Sequence, residues 1–281
     1  MTKPLRNLKW AVLRGLLSTV GRSSRGIRIG YRYGFDSGTM LDYVYVNRAH
    51  GALGLGRLVD RVYLNAVGWR AIRSRRELLQ DVLREQVAAR PDREVLVLDV
   101  AGGPGRYLQD LAAAHGPRRV RAVCRDLAVA GLRQGERLAQ ERGITNISYE
   151  TGDALDPKEP DAGAPDVIVV SGLYELLLDD DVIRASIERL RGLLAPGGTL
   201  VFTTQTRHPQ LDFIANVLPN RDGQLWVMKC RDVAETEGWA RAAGFGEVVS
   251  RREGVGLFTV TVCGAGGADG GPGAVAAEAE R

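Results

Sequence analysis

The residues with the clearest chemical meaning lie in VLVLDVAGGPGRYL, residues 95–108. An apolar run ends in Asp99, then comes a tight glycine turn, then a helical pattern. Gly102, Gly103 and Gly105 allow the backbone to bend sharply and to approach a ligand closely. Asp99 stands where a carboxylate could receive a cationic amine. A dinucleotide fingerprint is the first alternative, but Gly103 to Leu108 lack the third glycine of GxGxxG.

Two further acids follow the same logic. Asp126 comes just past the next apolar run, in AVCRDLA, where an acid can hold both hydroxyls of a ribose. Asp153, in TGDALD, follows the third run and could accept a hydrogen bond from an exocyclic amine. Any one of these acids could be an ordinary loop or helix cap. Three at successive strand ends, beside a glycine turn, point to a nucleoside-bearing ligand. A proton acceptor for the reaction has three candidates: Glu175, His208 and Tyr43. Tyr174 and Glu175 follow the fourth apolar run. His208, in TRHPQ, follows the fifth and has a pKa suited to deprotonating a hydroxyl. Asp42, Tyr43 and Tyr45 lie in an aromatic segment upstream. Each has a plainer reading: a loop histidine, a helix-start carboxylate, rings that wall off a pocket, a turn cap.

Apolar runs at 95–100, 120–124, 147–149, 167–170 and 199–204 read as strands, with helical patterns over 107–115, 128–142, 179–194 and 232–243. Strands alternating with helices predict a parallel, doubly wound α/β sheet. The last strands, 247–251 and 257–263, have only a Gly254–Gly256 turn between them and should form an antiparallel hairpin. Upstream, Met1 to Val20 reads as an amphipathic helix with Leu5, Leu8, Val12 and Leu16 on one stripe. Gly26 to Gly56 is irregular and aromatic, with residues 34–51 suggesting a lid, and Leu55 to Ala89 returns to helical spacing. The expected organisation is a helical and lid extension over 1–90, a catalytic domain over 91–263, and a disordered Gly/Ala-rich tail over 264–281.

Composition narrows the function classes. The 281 residues can bury a large core, and 44% hydrophobic with 26% charged residues is ordinary for a globular protein. No apolar run approaches the roughly 18 residues of a membrane span. Three scattered cysteines, Cys124, Cys230 and Cys263, give neither a disulfide framework nor a zinc site. They fit a reducing cytoplasm, and no metal is expected. The net charge of +4 is uneven. Residues 1–90 hold 17 Lys+Arg and 6 Asp+Glu, a balance of +11, so the rest carries −7. Such asymmetry suggests an anionic partner or a solvated arginine face.

Taken together, DVAGGPG, CRDLA, TGDALD, VIVVSGLYELL and LAPGGTLVFTT resemble the class I S-adenosylmethionine-dependent methyltransferases over residues 94–263. The resemblance implies a Rossmann-like α/β fold with a seven-stranded sheet, six strands parallel and one antiparallel, and S-adenosyl-L-methionine as cofactor. It implies that Asp99 and Gly102–Gly105 hold the methionine end, Asp126 the ribose and Asp153 the adenine. The implied cofactor set is Asp99, Ala101, Gly102, Gly103, Gly105, Asp126, Leu127, Asp153, Ala154 and Ser171. Ala101 replaces the family's commonest first glycine, and Arg125 precedes the acid of the second strand. FDSGTMLDYVYVNRAHG, RLVDRVYLNAVGWRAIRSRR and TRHPQLDFIANVL narrow the likeness to bacterial methyltransferases sometimes fused to an α/β-hydrolase domain. The expected acceptor is a small anionic or amphiphilic molecule, a metabolite or lipid headgroup. The helix over residues 1–20 either packs on the body of the protein, the favoured reading, or makes peripheral contact with an anionic membrane. The alternatives are a nucleic-acid methyltransferase, disfavoured by the absence of a DPPY-type motif, and a non-catalytic S-adenosylmethionine-binding module.

Overall fold

The computed structural model describes residues 3–52 and 54–266. Seven strands form one sheet: β1 (Val95–Asp99), β2 (Val120–Asp126), β3 (Ile147–Thr151), β4 (Val167–Val170), β5 (Thr199–Gln205), β6 (Glu247–Arg252) and β7 (Phe258–Gly264). Their order is β3-β2-β1-β4-β5-β7-β6. β7 runs antiparallel to both neighbours and every other pairing is parallel, which is the expected six-plus-one arrangement. β1 is buried along its whole length, as a central parallel strand must be. Val95 and Val97 face one apolar layer, Leu96 and Leu98 the other. The first layer is filled by helices α5 (Val67–Ala88) and α6 (Arg106–His115). The second is filled by α8 (Asp180–Leu193) and α10 (Val233–Ala242). Because the strand order reverses beside β1, a crevice opens beyond the carboxyl ends of β1 and β4.

The upstream segment departs from expectation. Gly26 to Gly56 is mostly helical, carrying α2 (Arg25–Tyr33), α3 (Gly38–Val46) and the start of α4 (Leu55–Leu64). Its glycines, β-branched residues and rings are weak helix formers, and tertiary packing outweighs that preference. Ser24 and Ser37 cap the first two helices by accepting from Ile27 and Met40. Helix α1 (Lys3–Ser18) buries Trp10, with Leu13 and Leu17 partly covered, and leaves Leu8, Val12 and Leu16 exposed. The stripe read from sequence is therefore mostly the outer face. Two short features were also missed or misplaced. Helix α9 (Leu211–Val217) lies in a stretch for which the sequence predicts no element, and β7 runs through Gly264, the first residue of the predicted tail. The rest of that tail, from residue 267, lies outside the described residues. One core cluster joins Trp10, Phe35, Met40 and Trp69 to Ile214, Trp226 and Phe258.

Asp60 organises the extension. It is fully buried, and four donors converge on its carboxylate. The Ser24 and Tyr43 hydroxyls donate to it, as do the backbone N–H groups of Gly26 at 2.7 Å and His50 at 2.8 Å. Removing a buried acceptor leaves its donors unsatisfied, and charge-assisted bonds are the strong ones. Asp60→Ala should lower unfolding free energy by about 3 kcal/mol or more in a urea titration. A loss below ~1 kcal/mol would show that the hub is not structural.

Candidate active site

The glycine turn is shaped first by the protein itself. Gly103 (φ +55°) and Gly105 (φ +65°) adopt left-handed backbone that favours glycine. A Cβ on Gly102 would stand 2.6 Å from Cys124 Sγ and 2.7 Å from an Asp99 oxygen. A Cβ on Gly103 would stand 3.0 Å from the Cα of Gly38, at the start of α3. The upstream segment thus rests directly on the turn, where a lid was expected. Asp42 fixes it there, paired with Arg106 and accepting from Gln134 Nε2 at 2.9 Å. Asp36 adds a second tie, accepting from Arg221 N at 2.7 Å and Arg221 Nε at 3.2 Å.

Under this roof lies a cleft of about 670 Å³. Ala101, Asp126, Leu127, Asp153, Ala154 and Ser171 all line it. A smaller cavity of about 350 Å³ adjoins it, walled by Gly102, Gly103, Gly105 and again Ser171. Nine of the ten residues expected to bind a cofactor therefore border one or the other of these adjoining cavities. Asp126 is the last residue of β2, so the preceding Arg125 does not displace it. Arg125 instead turns away to Glu150 at 2.5 Å. Asp126 accepts from Gly103 N at 2.8 Å and Ala128 N at 2.7 Å, so it holds the turn as well as facing the cleft. Asp153 accepts from Leu155 N at 2.8 Å through one oxygen, and the other has no partner among the described residues. Ser171 Oγ is buried without a hydrogen-bond partner among the described residues. A nucleoside-bearing cofactor fits this donor set: two carboxylates at strand ends, and a buried hydroxyl between the two cavities.

Asp99 is the exception. It is fully buried beneath the turn and borders neither cavity. Its oxygens accept from the Tyr107 hydroxyl and from Ala101 N at 3.2 Å, so it braces the turn and does not meet an amine. Burial pushes its carboxyl up to about 7, against the pull of those two bonds.

A third cavity of about 750 Å³ meets the cleft at Asp36, Leu41, Gly172 and Leu176. Its walls are aromatic. Trp69 and Trp226 stack at 6.2 Å between centroids and 23° between planes, and Tyr63 packs edge-on against Trp69. Two of the three proton-acceptor candidates face it. Glu175 is buried and accepts from Arg75 Nη1 at 2.9 Å through Oε1, while Oε2 has no partner among the described residues. His208 accepts the Gln210 N–H at 3.1 Å on Nδ1. Burial lowers its pKa, so the ring is neutral with its proton on Nε2. It can donate to a ligand but cannot take a proton there without losing that bond. Tyr43 does not join the site. Its hydroxyl is committed to Asp60, burial followed by that bond raises its pKa, and it borders an outer bowl. That bowl also collects Arg22, Arg25, Arg28, Arg32 and Arg48, so these arginines of the basic third do not line the aromatic cavity.

Gln205, Arg75, Trp69 and Trp226 were not recognised as site residues. Gln205 ends β5 at the same sheet edge as the acids and could have been found by that rule. Arg75 lies in an arginine-rich stretch with Arg70, Arg73 and Arg76, a pattern that by itself signals a solvated face. The tryptophans carry no local signal.

Comparison with known proteins agrees with this fold. Residues 1–264 match a family model described as "Putative methyltransferase". The uncharacterized protein YnbC of Escherichia coli (strain K12) is 39% identical over 262 residues, covering 91% of this chain and 45% of that protein. The chain thus spans about half the length of that relative. A solved structure of a possible exported protein from Bordetella parapertussis matches with TM-score 0.66 at 21% identity, covering 81% of this chain and 79% of that one. Magnesium protoporphyrin IX methyltransferase from Synechocystis PCC 6803, solved with bound S-adenosylhomocysteine, matches with TM-score 0.58 at 15% identity, covering 84% and 99%. These two structural likenesses concern the fold.

The Asp99 environment makes a pH prediction. A carboxyl whose folded pKa exceeds its unfolded value stabilises fully below the unfolded pKa and loses that contribution as pH rises through the folded one. Between pH ~4 and ~7 the wild type should lose up to about 4 kcal/mol relative to Asp99→Asn. Thermal melts of both proteins across pH 4.5–8.5 measure this, and parallel curves would contradict it.

Proposed function

The chain belongs to the putative methyltransferase family that its sequence matches, and from that premise we propose that it methylates an amphiphilic small molecule. S-adenosylmethionine is the cofactor, supplying when bound an electrophilic methyl group on a sulfonium. The observation that carries the acceptor reading is the junction of two unlike cavities. The cleft bordered by Asp126, Asp153 and Ser171 opens at Gly172 into a pocket walled by aromatic rings.

The protein's own contribution is alignment and exclusion of water. Asp126 and Asp153 orient a nucleoside, the roof at Gly38 and Leu41 closes over it, and the aromatic walls seat an apolar body facing the junction. Positioning of this kind can supply roughly 7–11 kcal/mol at best. Glu175 is the better proton acceptor, since one of its oxygens is uncommitted and the His208 lone pair is engaged. The arginine-based argument for an anionic acceptor weakens. Arg75 is paired with Glu175, and Arg221 with Asp36. Nucleic acid fits an enclosed aromatic pocket poorly. Half of the Escherichia coli relative lies beyond the match, which leaves room there for a fused domain such as an α/β-hydrolase.

Calorimetric titration with S-adenosylhomocysteine should give binding, and Gly103→Val should abolish it by displacing α3. Incubating the protein and labelled S-adenosylmethionine with separate lipid, metabolite and nucleic-acid extracts should label the lipid or metabolite fraction. Label confined to nucleic acid would defeat the acceptor reading. No binding at millimolar ligand would defeat the enzyme reading.

A second reading concerns residues 1–20. No helix among the described residues is long and apolar enough to cross a membrane. The outer face of α1 nevertheless exposes Leu8, Val12 and Leu16, with Val20 just beyond, and α4 exposes Leu55, Leu58 and Val62. We propose that α1 rests on an anionic bilayer surface on the cytoplasmic side, a place consistent with three free cysteines. Sedimentation with phosphatidylserine vesicles should carry the wild type down. Val12→Asp with Leu16→Asp should reduce that binding at least about tenfold. Equal sedimentation would remove the membrane reading.

A further inference from the structure

The floor of the aromatic pocket carries a set of buried polar atoms that the fold does not satisfy. Gln205 is 2% exposed, yet neither its Nε2 nor its Oε1 has a hydrogen-bond partner among the described residues. Glu175 Oε2, Arg75 Nε and Trp226 Nε1 are likewise buried without partners. All four residues line the one pocket. Native proteins rarely leave buried polar groups unpaired, because each costs roughly 1–3 kcal/mol. A complete side-chain amide with both ends unmade, beside a free carboxylate oxygen, is the pattern of a site that binds something.

The charges decide what kind of head group it binds. Arg75 and Glu175 face each other at 2.9 Å, so the floor has no net charge. His208 is neutral, and Asp36 at the rim is paired with Arg221. A carboxylate or phosphate would meet the free Glu175 oxygen and be repelled. A cationic amine would meet the uncompensated donors Arg75 Nε and Trp226 Nε1. A neutral hydroxyl satisfies both kinds of group: it can donate to Glu175 Oε2 and accept from Gln205 Nε2. The walls select the rest of the molecule. Trp69, Trp226, Tyr63, Phe213 and Phe258 present aromatic surface, which favours a rigid ring-bearing body over a flexible chain.

The floor also adjoins the place of reaction. A Cβ on Gly172 would stand 3.0 Å from Arg75 Nη2, and Gly172 borders both the pocket and the cofactor cleft. Resting on the methyltransferase reading above, we propose that the acceptor is a neutral hydroxyl on an aromatic or fused-ring body. Gln205 recognises that hydroxyl and Glu175 removes its proton. The step breaks the acceptor O–H bond and leaves the proton on Glu175 Oε2. The freed oxygen pair forms the new O–C bond, and the methyl–sulfur bond breaks with its pair retained on sulfur. Gln205 is a binding residue, and Glu175 a catalytic one.

The test uses the full chain and three probes: β-naphthol, β-naphthoate and n-decanol, each titrated calorimetrically beside a separate titration with S-adenosylhomocysteine. β-Naphthol should bind at least tenfold more tightly than either of the others. Gln205→Met should weaken β-naphthol about tenfold, the worth of one good hydrogen bond. The same variant should keep its S-adenosylhomocysteine affinity and melt about 2–4 °C higher, because the unsatisfied amide is gone. A residue serving only the fold would not gain stability while losing ligand. Glu175→Gln should lose about 100-fold in kcat with β-naphthol and labelled S-adenosylmethionine. Equal or tighter binding of β-naphthoate or n-decanol, or unchanged β-naphthol affinity in Gln205→Met, overturns the proposal. So does absence of β-naphthol binding while S-adenosylhomocysteine binds. If β-naphthol binds as expected but S-adenosylhomocysteine does not, the methyltransferase reading fails while the hydroxyl-binding floor stands.

Discussion

The buried ion pair between Arg75 and Glu175 is the contact on which the site depends. Its members are 1% and 6% exposed and lie 100 residues apart in sequence. One comes from α5, the long helix leading out of the N-terminal extension, the other from the turn after β4. Taking one partner away from such a pair typically costs about 3–5 kcal/mol, because a charge is left in the interior without compensation. The extension is therefore tied to the sheet at the carboxyl end of β4. Arg75 also lies over the Phe258 ring at 4.7 Å, and Gly172 must stay without a side chain to admit its guanidinium. One cation thereby fixes the floor of the aromatic pocket and the place where it meets the cleft.

Around this pair the extension behaves as a roof more than as a hinged lid. Its helices share their core with Ile214, Trp226 and Phe258 from the C-terminal half. Its edges are held by acids: Asp42 on Arg106 and Gln134, Asp36 on Arg221, and Asp60 inside. Each acid serves a definite structural end, and this explains why so many polar residues near the site are already satisfied. Against that background the unpaired atoms of Ser171, Glu175 and Gln205 stand out. They border the cavities, Ser171 in the cleft and Glu175 and Gln205 in the pocket.

The glycine turn illustrates how scaffold and function overlap. Gly102 is required by Cys124 and Asp99, and Gly103 by the approach of Gly38. Asp126 then spends one oxygen on the Gly103 amide while still facing the cleft. A turn braced from below by Asp99, from the side by Asp126 and from above by α3 is preorganised, so less ordering remains to be done when a ligand arrives.

Much of this was legible from the amino-acid order alone. Hydrophobic periodicity located all seven strands to within about two residues, and the absence of a helix between the last two strands marked them as an antiparallel hairpin. Asp126, Asp153 and the glycines were found because strand-end placement is a local property, written within a few residues of each motif. Contacts between distant segments decided the rest. Asp99 turned inward because Tyr107 and Ala101 meet it there, and Tyr43 was claimed by Asp60. Five of the arginines gathered in an outer bowl, whereas Arg75 was drawn into the core by Glu175. Asp36 found Arg221 across 185 residues. A sequence records which residues can carry charge or donate a hydrogen bond. Which cavity they face depends on how much of that capacity folding consumes, and only packing between remote elements sets that.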